Sequence, residues 1–226
     1  MSHIHLPDGV IPVFWWALGY IITAIILAVA FSRTKSIDVR RKVPLLGIIS
    51  AIMLIGQSIP LGFIPFHLSL AVLAGIVLGP WLGFIAVFIT NLFLALIGHG
   101  GITVVGLNTI VVGSEAILGY LLFNTFKRYM PSVAVAAIVS TVLALIVSIS
   151  LMISVVAVSQ VNPLAAVEGV REVGGVAGEP ALGRVSIPRF IAIIAPFAIV
   201  GIIIESLAIG LIVRFVASIR PEIIGG

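Results

Sequence analysis

The sequence predicts an all-α integral membrane protein, a bundle of about seven transmembrane helices with its N-terminus outside and its C-terminus cytoplasmic. Three observations carry that expectation. Of the 226 residues, 61% are hydrophobic and 9% charged, the mean hydropathy is +1.35, and the apolar residues gather into runs of bilayer length. A crossing of the roughly 30 Å hydrocarbon layer takes about 20 apolar residues, so a chain of this length holds about six to eight of them. One transmembrane domain over residues 1–226 is the natural reading.

The first run starts near Pro12 and passes Phe14, Trp15, Trp16 and Tyr20 before reaching Phe31, with its aromatic residues at the interface end. No basic segment precedes it, which argues against a cleaved secretory signal. A basic stretch from Arg33 to Lys42 separates it from a second run, Pro44 to Pro65. The third, His67 to Leu78, is short and breaks at Gly79-Pro80. The fourth runs from Trp81 to Ile97 and ends in Gly98-His99-Gly100-Gly101. Further spans cover about Val104 to Phe126, Val133 to Val158 and Phe190 to Val216.

Alternating sides along these runs places Arg33, Lys35, Arg40, Arg41, Lys42, Lys127, Arg128, Arg214 and Arg220 on one face, and only Arg171, Arg184 and Arg189 on the other. Basic residues concentrate on the cytoplasmic side of membrane proteins, so the first set marks the inside. The net charge of +4 is thus an orientation signal and not a nucleic-acid surface. The chain is expected in the cell membrane as a multi-pass protein whose solvent is the lipid bilayer.

The same alternation gathers the N-terminus, the turns at 65–67 and 98–101 and the loop 159–188 on the outer face. Every histidine of the chain, His3, His5, His67 and His99, falls there. There is no cysteine, so a metal would rest on nitrogen and oxygen. Met1-Ser2-His3 is a nitrogen-rich chelate: with the initiator methionine removed, the Ser2 amine and the amide and imidazole of His3 supply three nitrogens, and His67 can add a fourth. A square-planar nitrogen set favours Ni²⁺ or Cu²⁺. The plainer alternative is that these are interfacial histidines hydrogen-bonded to loop carbonyls.

Three segments carry a resemblance: His5-Leu6-Pro7-Asp8-Gly9, His67-Leu68 opening the run to Leu78-Gly79-Pro80-Trp81, and Gly-Gly-Ile-Thr-Val-Val-Gly-Leu-Asn at 100–108. Over residues 1 to about 120 the chain resembles the CbiM/NikM family, the substrate-capturing S components of energy-coupling factor (ECF) transporters for cobalt and nickel. The resemblance implies Ni²⁺ or Co²⁺ as transported substrate, held by a free amino terminus, a histidine just after it and a histidine opening the third span. His67 matches the last directly. Counting back from Asp8-Gly9 selects His5 for the N-terminal ligand, whereas closeness to the amine selects His3 beside Ser2. The implied partners are ECF ATPase subunits and a transmembrane coupling (T) subunit, with a small accessory membrane subunit also admitted. Three departures stand out: a short extension before the motif, His99 where an acidic residue is more usual, and Val111 in place of a second asparagine.

Around that set, Asp8 can accept a hydrogen bond from a ligating imidazole or cap a helix. Asn108 can bond the N-terminal segment or serve as an interhelical contact. Glu115 and Glu205 lie inside spans, where a carboxylate is costly and a functional candidate by default; protonation, or pairing with serine and asparagine, is the duller reading. Both are expected too far down to reach the histidines unless helices break. Ala24 and Ala28, like Gly106, Ile110 and Ser114, suggest close internal helix packing. The 159–188 loop has no strong helical period and could act as a lid or a simple connection.

No phosphate-binding Gly-Lys-Ser/Thr loop is present, so the chain is expected not to be an enzyme, with ATP hydrolysis left to partner subunits. The competing class is a proton-coupled secondary transporter using Glu115 and Glu205, which an absent inverted repeat weakens. A membrane hydrolase would need a helical His-Glu-x-x-His run, which the sequence lacks.

Overall fold

The computed structural model describes residues 6, 8–34, 36–58, 67–159 and 186–224, and these form helices and connections without any strand. In chain order the helices are α1 (Val13–Arg33), α2 (Ser36–Ser58), α3 (Ala71–Leu78), α4 (Pro80–Leu96), α5 (Val105–Phe126), α6 (Val133–Val158), α7 (Ile187–Ile219) and a final turn, α8 (Pro221–Ile224). Four of them, α1, α5, α6 and α7, are long and apolar enough to cross a membrane alone, while Lys42–Ser58 and Pro80–Leu96 are shorter apolar stretches. The expected spans overlap helices in order, but α2 starts at Ser36, inside the basic stretch Arg33–Lys42 expected as a loop. It is described as far as Ser58, and the expected end of its span near Pro65 lies outside the described residues. Helix α3, with eight residues, is only about 12 Å long and cannot cross by itself.

Local chemistry sets the boundaries. Gly79, at φ 88°, ends α3, and Pro80 opens α4, where its missing N–H costs nothing. The hydroxyl of Ser132 accepts from Val135 N at 3.2 Å and caps α6. At the end of α4, Gly98 takes φ 83°, and His99 N donates back to Leu94 O at 2.9 Å. That left-handed glycine closure fixes the direction in which His99 leaves the helix.

Helix α5 is the hub, packed against α1, α3, α4 and α6, with α7 against α6. The outward faces of α1 and α7 are apolar, with Ile21, Ile25, Leu211 and Phe215 each more than half exposed, as a lipid-facing surface requires. The α1–α5 crossing is tight because a Cβ on Gly106 would stand 2.6 Å from Tyr20 N, and Thr23 Oγ1 donates to Gly106 O at 2.8 Å. The expectation for Ala24 and Ala28 is overturned here. Both are exposed, and the buried face of α1 is Gly19, Thr23 and Ala30, because the close contact follows Gly106 and not the alanine spacing.

The core divides in two. The larger cluster runs through α3, α4 and α5. A smaller one is made of Leu6, Ile11, Val104, Leu107, Val111, Met152, Val156 and Phe190, around the first turns of α5 and the last of α6.

Candidate functional site at the histidine-bearing end

Residue His67 precedes helix α3 by four residues, on a non-helical stretch whose backbone is bonded group by group. Leu68 N donates to Gly56 O at 3.1 Å, Ser69 N to Glu205 Oε2 at 3.2 Å and Leu70 N to Glu205 Oε1 at 2.8 Å. Ser69 O accepts from Gln57 Nε2 at 3.0 Å, and Ala71 N donates to Ser69 Oγ at 3.1 Å. Leu70 sits at φ 54°, a left-handed conformation that costs a branched-chain residue about 1–2 kcal/mol and persists only where neighbours over-determine it. Glu205, Ser69 and Gln57 supply that determination.

The His67 ring meets the His99 ring with centroids 4.9 Å apart at 63°, both side chains being half-buried. Two residues from separate connections thus converge on one spot. Among the described residues no group of three His, Asp or Glu side chains could hold a metal ion. Ser2, His3 and His5 lie outside the described residues, so a fuller nitrogen set would have to draw on that segment.

The chain just after them is clamped at the same end. Leu6 is fully buried; its N–H donates to Asn108 Oδ1 at 2.9 Å, and its carbonyl accepts from Asn108 Nδ2 at 3.2 Å. One side-chain amide thereby satisfies both groups of a buried peptide, a need that water would meet elsewhere. The Asp8 carboxylate accepts from Ile102 N at 2.9 Å, from Thr103 N at 2.8 Å and from the Thr103 hydroxyl. Burial pushes the Asp8 carboxyl up, but these bonds from Thr103 and Ile102 outweigh it and leave its pKa below the usual 3.8. Gly101 is what lets Asp8 approach: a Cβ there would lie 2.4 Å from Asp8 Oδ1. The Tyr20 hydroxyl donates to Ile102 O beside it.

Of the alternatives left open by the sequence, Asn108 bonds the N-terminal segment, and Asp8 holds the turn before α5 rather than capping α1. Val111 fills the apolar cluster under Leu6, which accounts for a hydrocarbon where an amide was expected. The two buried acids come nearer to the histidine stretch than helix counting allowed. Helix α3 starts only at Ala71, and the non-helical residues after His67 reach them: Ser69 N meets Glu205, and the Ser69 hydroxyl donates to Glu115. The sequence did not single out Gln57, Ser69 or Ser148, although pairing with serine was one reading of the buried acids and Ser69 and Ser148 meet Glu115; a lone glutamine among the apolar residues of α2 was the available signal for the first.

A helical membrane bundle that brings two imidazoles to the end where Leu6 and Asp8 are anchored is the class of protein that fold and site define. The sequence profile described as "CbiM: Cobalt uptake substrate-specific transmembrane region" matches residues 5–223. The chain belongs to that family and is a multi-pass membrane protein. Among its relatives, a "Cobalt transport protein CbiM" of Clostridium tetani is 30% identical over 58% of this chain and 58% of its own length. Another from Geobacter sulfurreducens is 29% identical over 62% of this chain and 43% of its own. The chain therefore matches about half the length of these relatives. A crystal structure described as a transition metal transporter superposes with a TM-score of 0.75 at 18% identity, covering 96% of this chain and 93% of the other, which establishes the shared fold.

Proposed function

We propose that this chain is the substrate-capture component of an ATP-driven, ECF-type uptake transporter for Ni²⁺ or Co²⁺. The ion binds at the extracellular face through the imidazole of His67 and N-terminal nitrogens from Ser2 and from His3 or His5. His99 packs on the His67 ring and orients it, while Asn108 and Asp8 hold the segment that delivers the remaining ligands. ATP hydrolysis and inward release belong to separate ATPase subunits and a transmembrane coupling subunit, with a small accessory membrane subunit as a further partner.

The observation that carries this reading is the convergence of His67, His99 and the clamped Leu6–Asp8 region at one end of the bundle. The names of the relatives support the metal, and the basic residues beyond the opposite helix ends support an outward-facing histidine end. Calorimetry with Ni²⁺ and Co²⁺ tests it on purified chain with a free N-terminus, with an N-terminal tag and with a C-terminal tag. Tight binding lost only with the N-terminal tag supports amine ligation, and equal affinity for the two tagged forms refutes it.

A second reading, a proton-coupled carrier, draws on the burial of Glu115 and Glu205. It requires metal uptake by this chain alone in vesicles, collapsed by an uncoupler; uptake that needs the ATPase subunits and ignores the uncoupler rejects it.

A further inference from the structure

The interior holds two fully buried carboxyl groups, Glu115 on α5 and Glu205 on α7, joined through Ser69. Their hydrogen-bond partners differ in kind. Both Glu205 oxygens receive backbone N–H groups, from Leu70 and Ser69, at the N-terminal end of α3, where an anion is favoured. Glu115 meets only hydroxyls. Ser69 Oγ accepts from Ala71 N and turns its own proton to Glu115 Oε2. Ser148 Oγ lies 2.7 Å from Glu115 Oε1 and 3.1 Å from Val111 O.

Ser148 has one hydroxyl proton and two neighbouring acceptors. Val111 O already accepts the Ser114 hydroxyl at 2.6 Å, so its 3.1 Å contact with Ser148 needs no proton, and the Ser148 hydroxyl suits a carboxylate as donor or a carboxylic acid as acceptor. Burial separates the two states: Glu115 is fully buried on two hydroxyls rather than on backbone N–H groups, and as a neutral acid it escapes the cost of a buried charge and donates to Ser148. It also spares the bundle a second negative charge beside Glu205, which the low-dielectric interior resists.

We propose that Glu115 is a resident proton-binding site, a neutral acid that donates from Oε1 to Ser148 while its Oε2 accepts from Ser69, with Glu205 as the anionic member of the pair. The neutral acid completes the cradle of the non-helical stretch that bears His67. Among the described residues, the other ionisable groups nearest to Glu115 in sequence or through its partners are Tyr120, on the same helix, and His67, two residues before Ser69. The residues of α3, α4 and α6 include none; α1 offers Tyr20, turned to Ile102 O, and Arg33 at its last turn; α7 adds Arg189 and Arg214 near its two ends. The protonation state is independent of the metal reading; only its consequence for His67 rests on that reading.

Infrared difference spectroscopy on the full chain in lipid, without metal, tests the proton directly. A protonated-carboxyl band should be present at neutral pH in the wild type, absent in Glu115→Gln and retained in Glu205→Gln. Should Glu205→Gln not fold, Ser148→Ala is the second probe, and its band should move to higher frequency as the acid loses its acceptor. A band that survives Glu115→Gln, the absence of any band in the wild type, or a band unmoved by Ser148→Ala overturns the proposal. Glutamine reproduces a neutral acid at 115 but not a double acceptor at 205. Glu115→Gln should therefore leave Ni²⁺ affinity within about threefold, and Glu205→Gln should weaken it about 10- to 100-fold. If neither form nor the wild type binds metal while the band pattern holds, the capture reading fails and the proton assignment stands.

Discussion

Removing the Asn108 side chain isolates the contribution of the clamped N-terminal segment. In Asn108→Ala the Leu6 peptide loses an acceptor at 2.9 Å and a donor at 3.2 Å. Each hydrogen bond has a net worth of about 0.5–1.5 kcal/mol, so docking of the segment weakens by about 1–3 kcal/mol. At about 1.4 kcal/mol per factor of ten, apparent Ni²⁺ affinity falls roughly 5- to 140-fold wherever docking is needed to assemble the ligands. The rest of α5 keeps its packing against α1, α3, α4 and α6, so the bundle stays folded. Calorimetry gives the affinity, and hydrogen exchange over the first residues gives the docking. Faster exchange with an affinity within twofold of wild type would refute the idea that the docked segment supplies ligands.

Other perturbations probe the same geometry. His67→Ala should abolish tight binding, while His99→Ala, which removes only the ring packed at 4.9 Å, should weaken it about 10- to 100-fold by calorimetry; equal effects would make His99 a ligand of the same standing. Gly101→Ala places a methyl 2.4 Å from Asp8 Oδ1, so it should loosen the first residues in hydrogen exchange and lower affinity, whereas Gly47→Ala, with open space around it, should do neither. Because the Asp8 carboxyl is held below its usual 3.8, its contribution to docking is complete above about pH 4 and fades as pH falls through the lowered value. Segment protection measured against pH should thus be flat through neutrality and drop only in acid, with the acid step missing in Asp8→Asn; a drop centred near pH 6.5 would assign the clamp to an imidazole instead.

Most helices were legible as uninterrupted apolar runs, and α6 falls on the residues that the pattern marks, because in lipid a helix satisfies its own backbone and burial follows composition. The start of α3 was not legible. Leu68 and Leu70 are as apolar as the helix after them, yet the stretch stays outside the helix while Glu205, 135 residues away from Leu70 in sequence, takes the N–H groups of Ser69 and Leu70. The same long-range contact carried the acids to Ser69, against a residue count that assumed straight helices. Asn108 could be anticipated from its place in a recognised segment. The exposed Ala24 and Ala28 show that small-residue spacing tells which contacts are permitted, while the partner surface, here Gly106, decides which one forms.

X-ray absorption at the nickel edge of the Ni²⁺-loaded chain tests the central claim most directly. A planar set of four nitrogens with imidazole scattering that weakens in His67→Ala is the predicted spectrum. A six-coordinate, oxygen-rich ion unchanged by that substitution would contradict the account.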